Sequence, residues 1–472
     1  MTRFDSALEL AAAIRERRIS PTEALDLYLD RVDRLDPTLN AFALRDDERA
    51  RADAAAVTEL VASTPADELP PFAGVPIPIK DLNRVEGWPT THGSCAVPEH
   101  PELVDDPPVA RLRSAGFVFM GKTTTPEFGT ISMTESQRLG VTRNPWDTDH
   151  TPGGSSGGAG AAVASGMAPI AHASDGGGSI RIPASCNGLV GLKASRNRIT
   201  NRVEAMTSAS TSGVVSRTVA DTAAALDVLA ELDRGAWNVA PPHTGRFQDE
   251  VAIDPGRLRI RVTANNALGV EVAPECAAAV RAAAAMLSDL GHDVVEADPE
   301  WPDPGQFLTG FLTVWSTIAA GLDGLDVDRM EPHNRANWDM AMATTAIGYT
   351  QAQMALQDAS RAFTPQFGRD FDVLVTPTMA VEPPEVGSIW AGADVDPGAP
   401  LLNATPMAAY TAMFNVTGQP ALSLPLHTSP DGLPVGVQFA TGPWDEATLL
   451  RLGGQLERHV PWVDRWPALA GD

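Results

Sequence analysis

Residues 151–185, TPGGSSGGAGAAVASGMAPIAHASDGGGSIRIPAS, constrain the fold of this 472-residue chain more than any other stretch. The stretch holds two adjacent serines between two glycine pairs, and a further serine directly behind three glycines. Glycine loses more backbone entropy on folding than any other residue, so this density indicates unusual backbone angles or the close approach of a ligand. The small residues between the two clusters predict a closely packed helix over residues 159–166.

Charge and composition limit the classes of function. The formal net charge of −25 argues against nucleic-acid binding and against an anionic membrane surface. No run of about 18 strongly apolar residues is present, so we expect no membrane-spanning helix. Three scattered cysteines are typical of a reducing compartment, and we expect the cytoplasm. The nine histidines include no close ligand pair, so we do not expect a zinc hydrolase or any metal site. We also expect no cofactor.

Hydrophobic periodicity alternates between helical and strand patterns, which predicts an α/β fold with helices on both faces of a central sheet. Helices are predicted near residues 20–36, 46–62, 104–116, 219–232, 274–290 and 446–457, with a further helix start at 125–127. Strands are predicted at residues 70–82, 117–120, 167–173, 189–193, 258–262, 292–296, 372–377, 420–425 and 434–440.

The predicted elements divide the chain into four segments. Residues 1–65 form an N-terminal helical layer, and residues 66–300 form the core. Residues 301–370 carry three tryptophans, many alanines and no strong strand pattern, so we predict a helical cap or insertion. Residues 371–472 supply strands and a helix that complete the sheet.

The glycine-rich stretch has the parts that amide hydrolysis requires. The consecutive N–H groups of residues 176–179 could bind an oxyanion, and Ser179 at their end is a candidate nucleophile. Ser155 or Ser156 could relay a proton. Because no histidine is well placed, the base must be another group, and Lys80 after an apolar run is the best candidate.

Lysine is rare in this chain, and its few positions are informative. Of 35 basic residues only three are lysines, Lys80, Lys122 and Lys193. Arginine keeps its proton in proteins, whereas a desolvated lysine can lose it. We assign structural roles to Lys122 and Lys193. An ion pair of Lys80 with Asp81 or Asp175 remains the alternative to a role as base.

Two further motifs match known patterns in the wrong context. Residues 116–123 fit the phosphate-binding pattern G-x-x-x-x-G-K-[ST], but the intervening residues are themselves an apolar strand and no helix follows the lysine. Residues 154–158 contain G-x-S-x-G, but a polar loop precedes them where a nucleophile elbow needs a strand. We therefore expect neither nucleotide binding nor a Ser-His-Asp triad.

The block from 153 to 184, with its GGSSGG and GGSIR-x-PA segments, resembles the signature of the amidase signature family. The resemblance continues over nearly the whole chain. It includes GVP-x-x-x-KD at 74–81, GKT-x-T-PEF at 121–128, RNPW at 143–146 and FN-x-TGQPALSLP with GLPVGVQ at 414–438. It implies a single large α/β amidase-signature domain, with a mixed central sheet, helices on both faces and a helical cap insertion.

The resemblance also implies a role for each matching residue. Ser179 would be the acylated nucleophile, Lys80 the neutral base, and Ser155, held by a cis peptide after Gly154, the bridging serine. The oxyanion hole would comprise the N–H groups of Gly176, Gly177, Gly178 and Ser179. The residues that would support these loops are Ser156, Asp175 and Arg181.

The resemblance implies an amide hydrolase acting on a small-molecule amide through an acyl-serine. The C-terminal third of the chain most resembles the family's hydrolases of cyclic or linear aminocaproate-type amides. A glutaminase subunit of a tRNA-dependent amidotransferase and a non-catalytic binding homologue are the alternatives, and a homodimer is left open. The predicted substrate-binding residues are Thr130, Met133, Thr134, Trp315 and Asn415.

Overall fold

The computed structural model describes residues 4–203 and 209–471. Its strands are β1 (Phe42–Leu44), β2 (Pro76–Lys80), β3 (Val118–Thr123), β4 (Glu135–Ser136), β5 (Gly140–Val141), β6 (Ile170–Asp175), β7 (Val190–Lys193), β8 (Thr211–Ser216), β9 (Arg259–Val262), β10 (Asp293–Glu296), β11 (Val373–Pro377), β12 (Ala421–Thr428) and β13 (Pro434–Ala440).

The α-helices range from a single turn to five turns. They are α1 (Ala7–Arg15), α2 (Pro21–Leu39), α3 (Asp47–Ser63), α4 (Pro107–Ser114), α5 (Gly157–Ala164), α6 (Arg181–Asn187), α7 (Val219–Leu229), α8 (Phe247–Glu250), α9 (Pro274–Asp289), α10 (Pro304–Trp315), α11 (Pro332–Ala343), α12 (Ala346–Phe363), α13 (Ala399–Asn403), α14 (Thr405–Ala408), α15 (Thr411–Thr417) and α16 (Glu446–His459). None of the helices in the described part of the chain is long and apolar enough to cross a membrane.

Eight strands form one mixed sheet in the order β10-β9-β11-β13-β12-β7-β8-β6. β9 pairs in parallel with β10 and β11, and the remaining neighbours pair antiparallel. Alternate side chains of the strands enter different cores, since Val375 packs with α7, α9 and α16 while Leu374 packs with α10, α12 and α15. The predicted α/β fold, with a mixed sheet and helices on both faces, is confirmed.

A second sheet of three strands, β1-β3-β2, places the end of β2 near the glycine-rich stretch. β2 pairs in parallel with β3, and Lys80 lies opposite Thr123 in that register. β2 also packs beside β6, whose last residue is Asp175. The fold thereby brings Lys80 close to the end of β6 and to the triple glycine that follows it.

The N-terminal helices begin where the sequence predicts. The Ser20 hydroxyl accepts a hydrogen bond from the N–H of Glu23, whose carboxylate accepts one from the N–H of Ser20, and Pro21 is the first helical residue. This reciprocal cap satisfies two N–H groups that would otherwise lack partners. Residues 1–65 were predicted to be helical throughout, but they also contain the strand β1. This strand pairs antiparallel with β3.

Helices α10, α11 and α12 occupy the segment in which no strand was predicted, and the structure places no regular strand between residues 304 and 363. Phe307, Trp315 and Phe363 enter a core shared with Phe414 of α15. The rings of Phe311 and Trp315 stack with their centroids 5.2 Å apart. This helical segment therefore packs against the part of the chain that follows the glycine-rich stretch.

Two local predictions differ from the structure. The expected helix at 125–127 is only a short 3-10 turn at Glu127–Gly129, because Phe128 has a φ of 54° and ends it. The buried Glu127 carboxylate accepts a hydrogen bond from Ser94 instead of capping a longer helix. The strand β8 was not predicted, because Ser212, Gly213 and Ser216 interrupt the apolar pattern of its sequence TSGVVS.

Candidate active site

Lys80, the last residue of β2, is fully buried and points at hydroxyl groups. Its Nζ lies 2.8 Å from Ser155 Oγ and 3.2 Å from Ser174 Oγ. Burial lowers the pKa of the Lys80 ammonium from 10.5 to about 7, although the Asp175 charge opposes this shift. A large share of Lys80 is therefore neutral near neutral pH, and a neutral amine can accept the proton of a serine hydroxyl.

Both carboxylates that could pair with Lys80 have other partners. Asp81 lies 2.6 Å from Lys122 Nζ, and Asp175 lies 2.9 Å from Arg181 Nη2. Among the described residues no carboxylate lies within ion-pair distance of Lys80. The alternative that Lys80 is a salt-bridged structural lysine is therefore not supported, while the structural prediction for Lys122 fits its ion pair.

Ser155 lies in a tight loop before α5. The peptide bond between Gly154 and Ser155 is cis, as the resemblance implied. A Cβ placed on Gly158 of α5 would come within 2.5 Å of Ala41 O, so only glycine allows this approach to the strand below. The predicted closely packed helix is thus confirmed, two residues earlier than expected. Ser156 Oγ donates to Ser174 O over 3.2 Å and ties the loop to the end of β6.

The triple glycine after β6 forms a turn that ends at Ser179. Gly178 has a φ of 137°, and a Cβ there would lie 2.3 Å from Thr411 Oγ1. The Thr411 hydroxyl donates to Gly177 O over 2.6 Å. The Gly178 N–H donates to Asp175 Oδ1 over 2.7 Å, so it is committed within the turn.

The predicted set of four oxyanion donors is therefore reduced. The N–H groups of Gly176, Gly177 and Ser179 make no hydrogen bond to other described residues. These three N–H groups remain available to a ligand, whereas the Gly178 N–H stabilises the turn itself. The sequence alone could not show which of the four N–H groups is used within the turn. Only the path of the backbone brings the Gly178 N–H to the Asp175 carboxylate.

Asp175 and Arg181 form a fully buried ion pair beneath this turn. Burial by itself raises the pKa of Asp175, but the charge and hydrogen bond of Arg181, the Lys193 charge and the Asn415 hydrogen bond together outweigh it, and the pKa falls to about 2. Asn415 Nδ2 donates to Asp175 O and Oδ1, over 2.9 and 3.0 Å. Arg181 also donates to Asn415 Oδ1 and to Gln438 Oε1, both over 2.7 Å. The supporting residues predicted from the sequence thus hold the two loops in place.

Ser179 opens onto a cavity between the glycine turn and α10. No Lys, Arg, Asp, Glu or His is among its lining residues in the described chain. The other residues that line it are Gly129, Thr130, Ile131, Ser132, Gly177, Leu268, Phe307, Leu308, Phe311, Leu312, Trp315, Leu401, Ala404, Thr405, Ala408 and Ala412. A Cβ on Gly129 would lie 3.0 Å from Ser155 Oγ, so the wall of this cavity also contacts Ser155.

The predicted substrate-binding residues fall into two groups. Thr130 and Trp315 line the cavity. Met133 packs in a separate apolar core, and Thr134 Oγ1 donates to Gly153 O over 2.8 Å. Asn415 is bound to the Asp175–Arg181 pair. Met133, Thr134 and Asn415 are therefore corrected to supporting positions, since their side chains are used in holding the loops.

Of the aromatic wall of the cavity, the sequence analysis predicted Trp315 but missed Phe307 and Phe311. Phe307, Phe311 and Trp315 lie four residues apart on α10, which places their rings on one helical face. That spacing was visible in the sequence, but nothing in it indicated which side of α10 faces Ser179. Ser174 and Thr411 were also missed, although Ser174 directly precedes the predicted Asp175.

Comparisons with known proteins agree with this geometry. A family model described as Amidase matches residues 23–450. The 6-aminohexanoate-cyclic-dimer hydrolase of Pseudomonas sp. (strain NK87) is 37% identical over 488 aligned residues, covering 99% of this chain and 97% of that protein.

Two solved structures extend the comparison to the fold. The structure of 6-aminohexanoate cyclic dimer hydrolase complexed with substrate superposes with a TM-score of 0.91 at 35% identity and covers 99% of both chains. That of a bacterial aryl acylamidase of the amidase signature family has a TM-score of 0.87 at 26% identity, covering 99% of this chain and 98% of that one. The chain belongs to the amidase signature family of amide-hydrolysing enzymes.

Proposed function

We propose that this amidase cleaves its substrate through an acyl-serine intermediate, with Ser179, Ser155 and Lys80 as the reacting groups. The observation that carries the proposal is the hydrogen bond from Lys80 to Ser155. Lys80 is a fully buried amine without a carboxylate partner among the described residues, and it lies 2.8 Å from that hydroxyl. Such an amine can take a proton and return it near neutral pH.

The reaction proceeds in two half-reactions. Ser179 Oγ attacks the amide carbon, its proton passes to Ser155, and the Ser155 proton passes to Lys80. The N–H groups of Gly176, Gly177 and Ser179 stabilise the developing oxyanion. The C–N bond then breaks, and the proton returns from Lys80 through Ser155 to the leaving nitrogen. Water enters, loses a proton by the same path, and releases the acid from Ser179.

The cavity indicates the class of substrate. Its described lining carries no charged side chain, and the stacked rings of Phe307, Phe311 and Trp315 give it an apolar wall. We propose an amide that is uncharged around the scissile bond. The relatives named for the 6-aminohexanoate cyclic dimer support a cyclic amide of this kind, because that ring has no free ammonium or carboxylate.

The same lining argues against the glutaminase alternative. Free glutamine carries an ammonium and a carboxylate, and burying either charge without a partner is costly. The cavity beside Ser179 offers neither charge a counter-ion among the described residues. A non-catalytic binding role is disfavoured by Lys80, because this buried amine contacts the Ser155 hydroxyl rather than a carboxylate, as a proton relay requires.

Four amides test the proposal: the 6-aminohexanoate cyclic dimer, an acyl anilide, a fatty acid amide and glutamine. Release of amine or ammonia is followed for the protein and for Ser179→Ala. We expect turnover of at least one neutral amide, none of glutamine, and none with Ser179→Ala. Turnover of glutamine alone would contradict the substrate class, and a fully active Ser179→Ala would contradict the mechanism.

A further inference from the structure

A second cavity of about 440 Å³ lies beside the candidate active site, between α11 and the segment around Trp390. Its volume falls within the range of small-molecule sites, about 300–1,000 Å³. The described lining holds three carboxylates, Glu135, Glu331 and Asp394, and neither lysine nor arginine. Val141, Pro332 and further proline and alanine carbons make up much of the remaining wall.

Hydrogen bonds in this region fix the orientation of Asn334. Its Nδ2 lies 3.2 Å from Glu127 O and 2.9 Å from Glu127 Oε2, and both atoms can only accept. The Asn334 Oδ1 therefore faces Thr130 and accepts the Thr130 hydroxyl proton over 2.7 Å. Thr130 itself lines the cavity at Ser179.

The tautomer of His333 follows from that network. Burial lowers the pKa of His333 to about 4, so its ring is neutral and carries one proton. The proton of the Thr130 hydroxyl is already donated, so this oxygen accepts from His333 Nε2, 3.4 Å away. His333 Nδ1 then carries the lone pair.

Two acceptors face each other in the second cavity. His333 is 4% exposed, lines the cavity, and its Nδ1 has no hydrogen-bond partner among the described residues. Glu331 Oε2 lies 3.8 Å from this Nδ1. Glu331 Oε1 accepts from the Gln137 N–H over 2.8 Å, whereas Oε2 receives no hydrogen bond from the described side chains and backbone.

We propose that this second cavity binds a primary alkylammonium between His333 Nδ1 and Glu331 Oε2. An ammonium has three N–H donors and can serve both acceptors at once. The Glu331 carboxylate supplies the counter-charge, and the apolar wall accommodates the alkyl chain. A neutral alcohol has only one donor, and an inorganic cation would leave the carbon wall unused.

The position of the site connects it to the reaction. Thr130 contacts His333 on one side and the cavity at Ser179 on the other. An alkylammonium at His333 could be a free amine or the charged end of a longer amide, and the chemistry of the ammonium is the same in both cases. Binding of a free amine does not depend on turnover, so it can be tested apart from the proposed mechanism.

The test measures binding of hexylammonium to the Ser179→Ala protein by titration calorimetry. It is run at about pH 8.5, below the pKa of an alkylammonium near 10.4 and above that of Glu331, which burial and the Glu127 charge raise to about 7. We expect one hexylammonium per chain and binding of hexan-1-ol at least about tenfold weaker, because a hydrogen bond to a charged group is worth at least that factor.

Two variants locate the site. Glu331→Gln removes the counter-charge, and we expect about tenfold weaker binding of hexylammonium. Asp394→Asn removes the same charge from the exposed rim of the same cavity and should change affinity less than about twofold, as expected for an exposed charge. His333→Phe, which removes the Nδ1 acceptor but keeps a flat ring, should weaken binding if Glu331→Gln does not fold.

Three results would overturn the proposal. The first is no binding of hexylammonium, and the second is equal binding of hexan-1-ol. The third is an equal loss of affinity in Asp394→Asn and Glu331→Gln, which would indicate a general effect of charge. If the site binds, comparing KM for neutral amides with and without a terminal ammonium, in the active protein and in Glu331→Gln, shows whether the ammonium comes from the substrate.

Discussion

Replacing Lys80 with methionine should abolish activity and yet stabilise the fold at neutral pH. Unfolded, Lys80 titrates near 10.5, whereas burial lowers its pKa in the folded protein to about 7. At pH 7 this difference of more than three pKa units corresponds to about 4 kcal/mol lost from the free energy of unfolding. Methionine removes that cost but leaves the Ser155 and Ser174 hydroxyls without the amine, which costs about 1–3 kcal/mol. We expect a net stabilisation of about 2 kcal/mol.

The sign of this effect depends on pH. At and below about pH 7, the pKa of Lys80 in the folded protein, nearly the whole cost of burying the Lys80 charge is subtracted from the free energy of unfolding. Between about pH 7 and 10.5 the unfolded chain binds a proton that the folded chain does not, so stability of the wild-type protein rises with pH. The advantage of Lys80→Met should therefore shrink and vanish by about pH 9.5. Urea unfolding of the wild-type protein and of Lys80→Met at about pH 7 and at about pH 9.5 measures this difference in the free energy of unfolding.

Lys122→Met is the matched control. Both lysines are fully buried, but Lys122 pairs with Asp81 at 2.6 Å. Removing Lys122 leaves the Asp81 carboxylate buried and unpaired, which should reduce the free energy of unfolding by about 3–5 kcal/mol. Equal destabilisation by both variants at pH 7 would refute the reasoning, because it would show that Lys80 is charged and paired in the folded protein.

Three further predictions concern rate, stability and substrate binding. With Lys80 as a base of pKa about 7, kcat/KM for a neutral amide should rise about tenfold between about pH 6 and 8, because the neutral fraction rises by that factor; a flat profile over this range would argue against Lys80. Asn415→Leu should lower the free energy of unfolding by about 2–4 kcal/mol, measured by urea unfolding, because it removes bonds to Asp175 and Arg181; an unchanged stability with a raised KM would instead restore Asn415 as a substrate ligand. Phe311→Ala should raise KM for the preferred apolar amide about tenfold by removing part of the cavity wall, and no change in KM would place the substrate elsewhere.

The sequence predicted most of the sheet because its strands are short apolar runs with clear boundaries. The family resemblance implied that Asp175 and Arg181 support the loops, but the ion pair between them was not predicted. The strand β8 was not predicted, because serine and glycine interrupt the apolar pattern of TSGVVS, and its place in the sheet follows from pairing with β6 and β7.

The residue types of the candidate site could be predicted from motifs in the sequence. The contacts that these residues make could not, because tertiary packing determines them. The motifs around positions 80, 155 and 179 indicate the reacting groups that we propose. The use of the Gly178 N–H within its turn, the assignment of Asp81 to Lys122 rather than to Lys80, and the side of α10 that faces Ser179 all depend on contacts between segments far apart in sequence. Local patterns carry no information on such contacts.

The most direct test of the central claim is intact-protein mass spectrometry during turnover of the preferred neutral amide, quenched with acid. We expect a covalent adduct with the mass of the acyl group, which peptide mapping places on Ser179 and which Ser179→Ala lacks. The adduct should persist longest at low pH, where protonated Lys80 cannot activate water. Full turnover without any adduct, or an adduct on another residue, would contradict the proposed acyl-serine mechanism.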